Sequence, residues 1–167
     1  MSQGMAETGN SGGNIGPLEW FAQPSGPEGG LGLRFSCTMC GNCCSGPSGY
    51  VLVNDAECAA LAKRLGISTE EFMARYTHMM ELGRSLNERS GPYGLDCVFL
   101  DREKIPGKAV CGVYEDRPRQ CRSWPFWPSL VRNERTWASA RNTCPGIDKG
   151  TLHSVVQVRI MRDSCEI

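Results

Sequence analysis

The run Cys37-Thr38-Met39-Cys40-Gly41-Asn42-Cys43-Cys44 places four thiols within eight residues. A thiolate is a soft, anionic ligand that suits zinc, copper(I) and iron–sulfur clusters. In a C-x2-C loop two sulfurs can converge on one centre, and Gly41 lets the backbone take a positive-φ turn between ligands. Cys37, Cys40 and Cys43 reproduce the C-x2-C-x2-C run that opens a bacterial ferredoxin cluster loop. Cys44 departs from that run. Neighbouring side chains of an extended chain point to opposite faces, so Cys43 and Cys44 can serve different centres. The stretch specifies a metal site and leaves the metal open.

Six further cysteines follow, at 58, 97, 111, 121, 144 and 165. Cys144-Pro145 repeats the Cys-Pro ending of the ferredoxin motif, about a hundred residues downstream of it. Cys58 falls within a helical stretch with no Cys three or four residues away, and reads as a small buried hydrophobe. Cys165, two residues from the end, reads as a free thiol near a frayed terminus. An even count of ten also fits a disulfide framework. However, Met1 to Gly16 has neither a basic nor an apolar leader segment, so the expected compartment is the cytoplasm, where disulfides are rare. A nucleophilic-cysteine enzyme would need a base, and His78 and His153 are the only histidines. Whether the chain is an enzyme is left open.

In a chain of 167 residues, 18 basic residues balance 18 acidic ones, so net charge draws it neither to nucleic acid nor to a membrane surface. No apolar run reaches the roughly 18 residues of a membrane span. Residues 1–33 hold nine Gly and three Pro and read as a disordered tail, with Leu18, Trp20 and Phe21 as its apolar patch. Residues 34–167 form the domain. Gly49–Val53 reads as a strand. Asn54 or Asp55 opens a helix that Gly66 stops. Ser68-Thr-Glu-Glu71 reads as a capping box before a second helix with Phe72, Tyr76, His78 and Met79. Residues 81–95 read as loop. Cys97–Leu100 and Ala109–Val113 form a hairpin that brings Cys97 near Cys111. Asp116-Arg117-Pro118 starts a short helix presenting Cys121. Leu130-Val131 and Thr136–Ala138 suggest another hairpin, and Thr151–Asp163 a final helix. The fold class is α+β: a small metal-stapled domain with short strands or hairpins and three to four short helices.

Cys-x2-Cys-Gly-Asn-Cys-Cys, then Cys97-Val-Phe-Leu, then Cys111-Gly-Val-Tyr-Glu-Asp-Arg-Pro-Arg-Gln-Cys-Arg-Ser-Trp-Pro-Phe, resembles the CxxCxxCC cysteine-cluster family over about residues 34–150. Its members are described as zinc- or iron-chelating. A similar cluster in flagellin lysine methylases is associated with an iron–sulfur centre. The resemblance implies eight metal ligands: Cys37, Cys40, Cys43, Cys44, Cys97, Cys111, Cys121 and Cys144. Eight thiolates exceed what one four-ligand centre needs, so two centres, or some non-ligating thiols, are implied. Arg117 and Arg122 are expected to offset thiolate charge and hydrogen-bond to sulfur; Arg119 suits solvent equally well. A [4Fe–4S] cluster ranks first, serving electron transfer, sensing or cluster handling, with a protein redox or delivery partner. Zinc is the alternative, in a binding module or in metal delivery. Six Arg and four aromatic rings between Arg117 and Arg141 would also suit single-stranded nucleic acid. That reading ranks below rings in the core and arginines facing solvent or cluster.

Overall fold

A computed structural model of the chain describes residues 19–24 and 30–165. Most of the expected tail, residues 1–18 and 25–29, lies outside the described residues, and so does Leu18. What is described of that region docks on the domain. Trp20–Ala22 form a 3-10 turn that buries Phe21, and the Trp20 indole donates to the Val131 carbonyl at 2.7 Å. Glu19 pairs with Arg159 and Arg162 of the last helix.

The elements run β1 (Leu33–Phe35), β2 (Ser45–Gly46), α1 (Asp55–Leu65), α2 (Thr69–Tyr76), β3 (Thr77–Met80), β4 (Gly83–Leu86), β5 (Glu88–Gly91) and β6 (Gly94–Cys97). They continue with β7 (Leu100–Asp101), β8 (Val110–Cys111), α3 (Arg119–Ser123), α4 (Pro128–Val131), α5 (Glu134–Ala140), β9 (Ile147–His153) and α6 (Val155–Asp163). All strand pairing is antiparallel: β1 with β9, β2-β6-β5 as a three-stranded sheet, and the hairpins β3–β4 and β7–β8. The fold is α+β.

Cap chemistry explains where sequence and structure agree. Asn54 and Glu57 form a reciprocal capping box at the start of α1, and Gly66 ends it at φ 69°. Ser68 accepts from the Glu71 amide, but the Glu71 carboxylate turns to Arg75, so α2 carries half of the expected box. That helix stops at Tyr76. Thr77–Met80 turns into strand because Gly83, at φ 124°, closes a hairpin that pairs Thr77 with Leu86. His78 and Met79 therefore lie on an exposed strand, and residues 81–95 are mostly hairpin, not loop. Gly49–Val53 stays extended, with one bridge from Leu52 to Ser85.

Downstream, the short helix starts later than expected, with Pro118 at its N-cap, and Asp116 pairs with Arg64 instead. The hairpin expected across residues 130–138 is absent. Pro128 opens α4, and the Asn133–Thr136 capping box opens α5. Helical caps override the β-formers Val131 and Thr136. The stretch from Thr151 divides: β9 runs to His153, then Ser154 caps α6. Cys165 is buried, not frayed.

Two apolar cores result. One gathers Phe21, Leu33, Phe126, Val131, Trp137, Ile147 and Val158, together with Cys144. The other gathers Val53, Cys58, Leu61, Phe72, Leu86 and Val113, with Cys97 and Cys111 packed against it. Cysteines on the faces of both cores open onto the space between them.

Candidate metal centre

Eight of the ten cysteines line a single cavity of about 490 Å³: Cys37, Cys40, Cys43, Cys44, Cys97, Cys111, Cys121 and Cys144. All ten cysteines are free thiols. Cys58 lies inside the second core, and Cys165 lines a different depression. Among the described residues, no three Cys, His, Asp or Glu side chains stand close enough to hold one ion as they are. The sulfurs ring a volume instead of meeting at a point.

Each segment carrying a distal thiol is tied to the stretch from Thr38 to Leu52 by a residue within two positions of that thiol. The Ala109 amide, two residues before Cys111, donates to the Met39 carbonyl at 2.8 Å, and Lys108 Nζ reaches the Thr38 carbonyl. Asn42 Nδ2 donates to the carbonyl of Thr143, the neighbour of Cys144, at 2.9 Å. Asp96, beside Cys97, is held bidentately by Arg102 at 2.7 and 2.8 Å, and Arg102 also donates to Ser45 Oγ beside Cys44. Gln120, beside Cys121, is buried and bonds the Leu52 amide and the Tyr50 carbonyl. Sequence reading missed Asn42, Asp96, Arg102 and Gln120. The available signal was adjacency: three of the four flank a cavity cysteine.

The loop itself is bent for this purpose. Gly41 sits at φ 77°, where a Cβ would meet the Ala109 side chain at 2.6 Å, so any larger residue would push the loop off β8. Met39 takes φ 55° without being glycine, and its amide turns toward Cys37 Sγ at 3.4 Å.

Burial sets the thiols' resting state. It pushes Cys97 up to about 11 and drives Cys121, Cys111 and Cys144 upward as well. Cys43 and Cys44 form a pair with sulfurs 3.6 Å apart. The hydrogen bond between them favours the thiolate of one and the neutral thiol of the other, drawing Cys43 down and, with burial, pushing Cys44 upward. The Arg117 guanidinium favours the thiolates of Cys43, Cys111 and Cys121. Arg117 lines the cavity while stacking 3.7 Å over Tyr114. Arg122 lies elsewhere, in a groove beside α1 with Arg119 and Glu57. Of the rings between Arg117 and Arg141, Phe126 and Trp137 are buried core, while Trp124 and Trp127 face the thiols.

The donor set suits a thiolate-bound metal. It is all sulfur, no histidine lines the cavity, and neutral thiols there become ligands on losing protons to a cation. Two buried polar atoms without partners, Thr38 Oγ1 and Trp124 Nε1, belong to residues lining the same space, as sites for sulfur acceptors would. Fold and site together define a small α+β domain built around a cavity lined by eight thiols.

Residues 36–145 match the family model CxxCxxCC, described as "Putative zinc- or iron-chelating domain", and the chain belongs to that family. No solved structure matches it. No helix among the described residues is long and apolar enough to cross a membrane.

Proposed function

We propose that this chain holds an iron–sulfur centre of the [4Fe–4S] type in the eight-thiol cavity and serves electron transfer, sensing or cluster handling. One observation carries the reading: eight cysteines, from segments up to about a hundred residues apart, line one volume of about 490 Å³. Eight thiols exceed the four that one tetrahedral ion takes, and a polynuclear group can draw its ligands from across such a volume. Cys37, Cys40, Cys43 or Cys44, and one distal cysteine, would supply four ligands. Lys104 and Arg117 line the cavity as countercharges.

Zinc or iron delivery is the second reading, favoured by the exposure of Cys37 and Cys43, which a partner's ligands can reach. Oxygen-free purification with elemental and acid-labile sulfide analysis separates the two. A coloured protein with iron and sulfide supports the cluster. A colourless protein with stoichiometric zinc, lost quickly to a mild chelator, supports delivery and removes the cluster.

A further inference from the structure

We propose that Trp124 Nε1 and Thr38 Oγ1 donate hydrogen bonds to the sulfur of the metal centre, fixing its ligand geometry and electron density. This rests on the metal-centre reading and assigns roles to two residues outside the thiol set.

The chain has four tryptophans, all among the described residues. Three indole N–H groups have acceptors: Trp20 the Val131 carbonyl at 2.7 Å, Trp127 the Gln120 carbonyl at 2.9 Å, and Trp137 Asp148 Oδ1 at 2.7 Å. The Trp124 N–H is buried with no partner. An indole nitrogen can only donate, so burial leaves it needing an acceptor that no protein oxygen supplies. The second orphan among the described residues is the Thr38 hydroxyl, between Cys37 and Cys40. Both residues line the thiol cavity. The two exceptions to polar satisfaction thus coincide with the place where anionic sulfur is expected.

Geometry holds both donors in place. Trp124 follows Cys121 by three residues and packs edge-on against Trp127, ring centres 4.8 Å apart and planes at 83°. The Trp124 side chain favours the Cys144 thiolate, although its N–H has no partner within ordinary hydrogen-bond geometry. Thr38 is pinned through its own carbonyl by Lys108 Nζ at 3.2 Å. A hydrogen bond to a metal-bound thiolate or sulfide withdraws charge from sulfur, which strengthens retention and lowers the energy of the sulfur lone pairs.

Cobalt(II) added anaerobically to the metal-free full chain gives a thiolate-to-metal charge-transfer band that reads sulfur directly. Trp124→Phe keeps the ring and removes the N–H; Thr38→Val keeps the shape and removes the hydroxyl. Trp127→Phe removes an N–H already engaged by Gln120 and is the comparison. The expected result is a shift of the band to longer wavelength in Trp124→Phe and Thr38→Val, with metal lost to a chelator roughly 10-fold faster. Trp127→Phe keeps the wild-type band position. Near-ultraviolet circular dichroism checks the fold, and Thr38→Val, in a loop outside both cores, does not depend on the Trp124 packing. Normal cobalt uptake with an unmoved band in both variants overturns this inference and leaves the metal centre standing. A wild-type chain that takes up neither cobalt nor, on anaerobic reconstitution with iron and sulfide, a cluster overturns the centre and the inference together.

Discussion

The two walls of the thiol cavity are built in different ways. One wall is the loop Cys37–Cys44, in which Cys37 and Cys43 are exposed and which belongs to neither core. The other is made by Cys97, Cys111, Cys121 and Cys144, half-buried or buried and carried on segments packed against the two cores. Hydrophobic burial positions the second wall before any metal arrives. Backbone and side-chain tethers from Ala109, Thr143 and Arg102 hold the first wall close to it. The contrast teaches that the conspicuous motif is the adjustable half of the site and the scattered cysteines are the rigid half.

Removing one thiol from each wall breaks the symmetry of that comparison most strongly. Cys40→Ala and Cys144→Ala should both lose bound metal, together with the folding free energy it supplies. In the metal-free state they should part. Cys144 belongs to the first core, so its variant should melt about 1–3 kcal/mol below the metal-free wild type. Cys40→Ala should match the metal-free wild type. Equal melting of the two apo variants would erase the distinction between walls.

The tether at Asp96 sharpens it next. Hydrogen bonds from Arg102 hold this carboxyl at about 2, below its ordinary 3.8, in a side chain 4% exposed. A depressed carboxyl pKa stabilises the fold above the unfolded value, and the benefit fades as pH falls from about 4 to about 2. Asp96→Asn should therefore cost about 2 kcal/mol at pH 7, by denaturant titration. The gap between variant and wild type should close in acid, and a constant gap down to pH 2 would exclude the ion pair as its cause.

The smallest effect belongs to a thiol outside both walls. Cys165 is 5% exposed, so Cys165→Ala should lower stability by about 1 kcal/mol through lost packing. Its metal content should stay at the wild-type value. Metal loss there would mean that the cavity extends further than its eight sulfurs.

Much of this was legible in the sequence. The Cys37–Cys44 spacing pointed to half of the thiols that line the cavity, because ligand spacing is local and chemical, and the resemblance to the CxxCxxCC family implied the other four. The caps at Asn54 and Gly66 fixed α1 for the same reason. Tertiary choices were harder to read. Val131 and Thr136 are β-formers, but Pro128 and Asn133 start helices around them. The burial of Cys165 and Phe21 depends on contacts with distant segments. Arg122 resembled Arg117 as a charge near Cys121, yet Arg117 lines both the thiol cavity and the groove beside α1, and Arg122 lines only the groove. Gln120, although inside the Cys111–Phe126 block, and Asp96 gave no sign of their partners, and only their bonds across the fold reveal what they do.

Alkylation under native conditions, with and without bound metal, tests most directly whether these thiols hold it. Cys37 and Cys43 are exposed, and hydrogen bonding with Cys44 favours the Cys43 thiolate, the form that alkylates. In the metal-free chain both should react rapidly with iodoacetamide, as mass spectrometry would show. In the metal-loaded chain both should be protected despite their exposure. Equal labelling of Cys37 and Cys43 in the two states would show that the metal sits elsewhere.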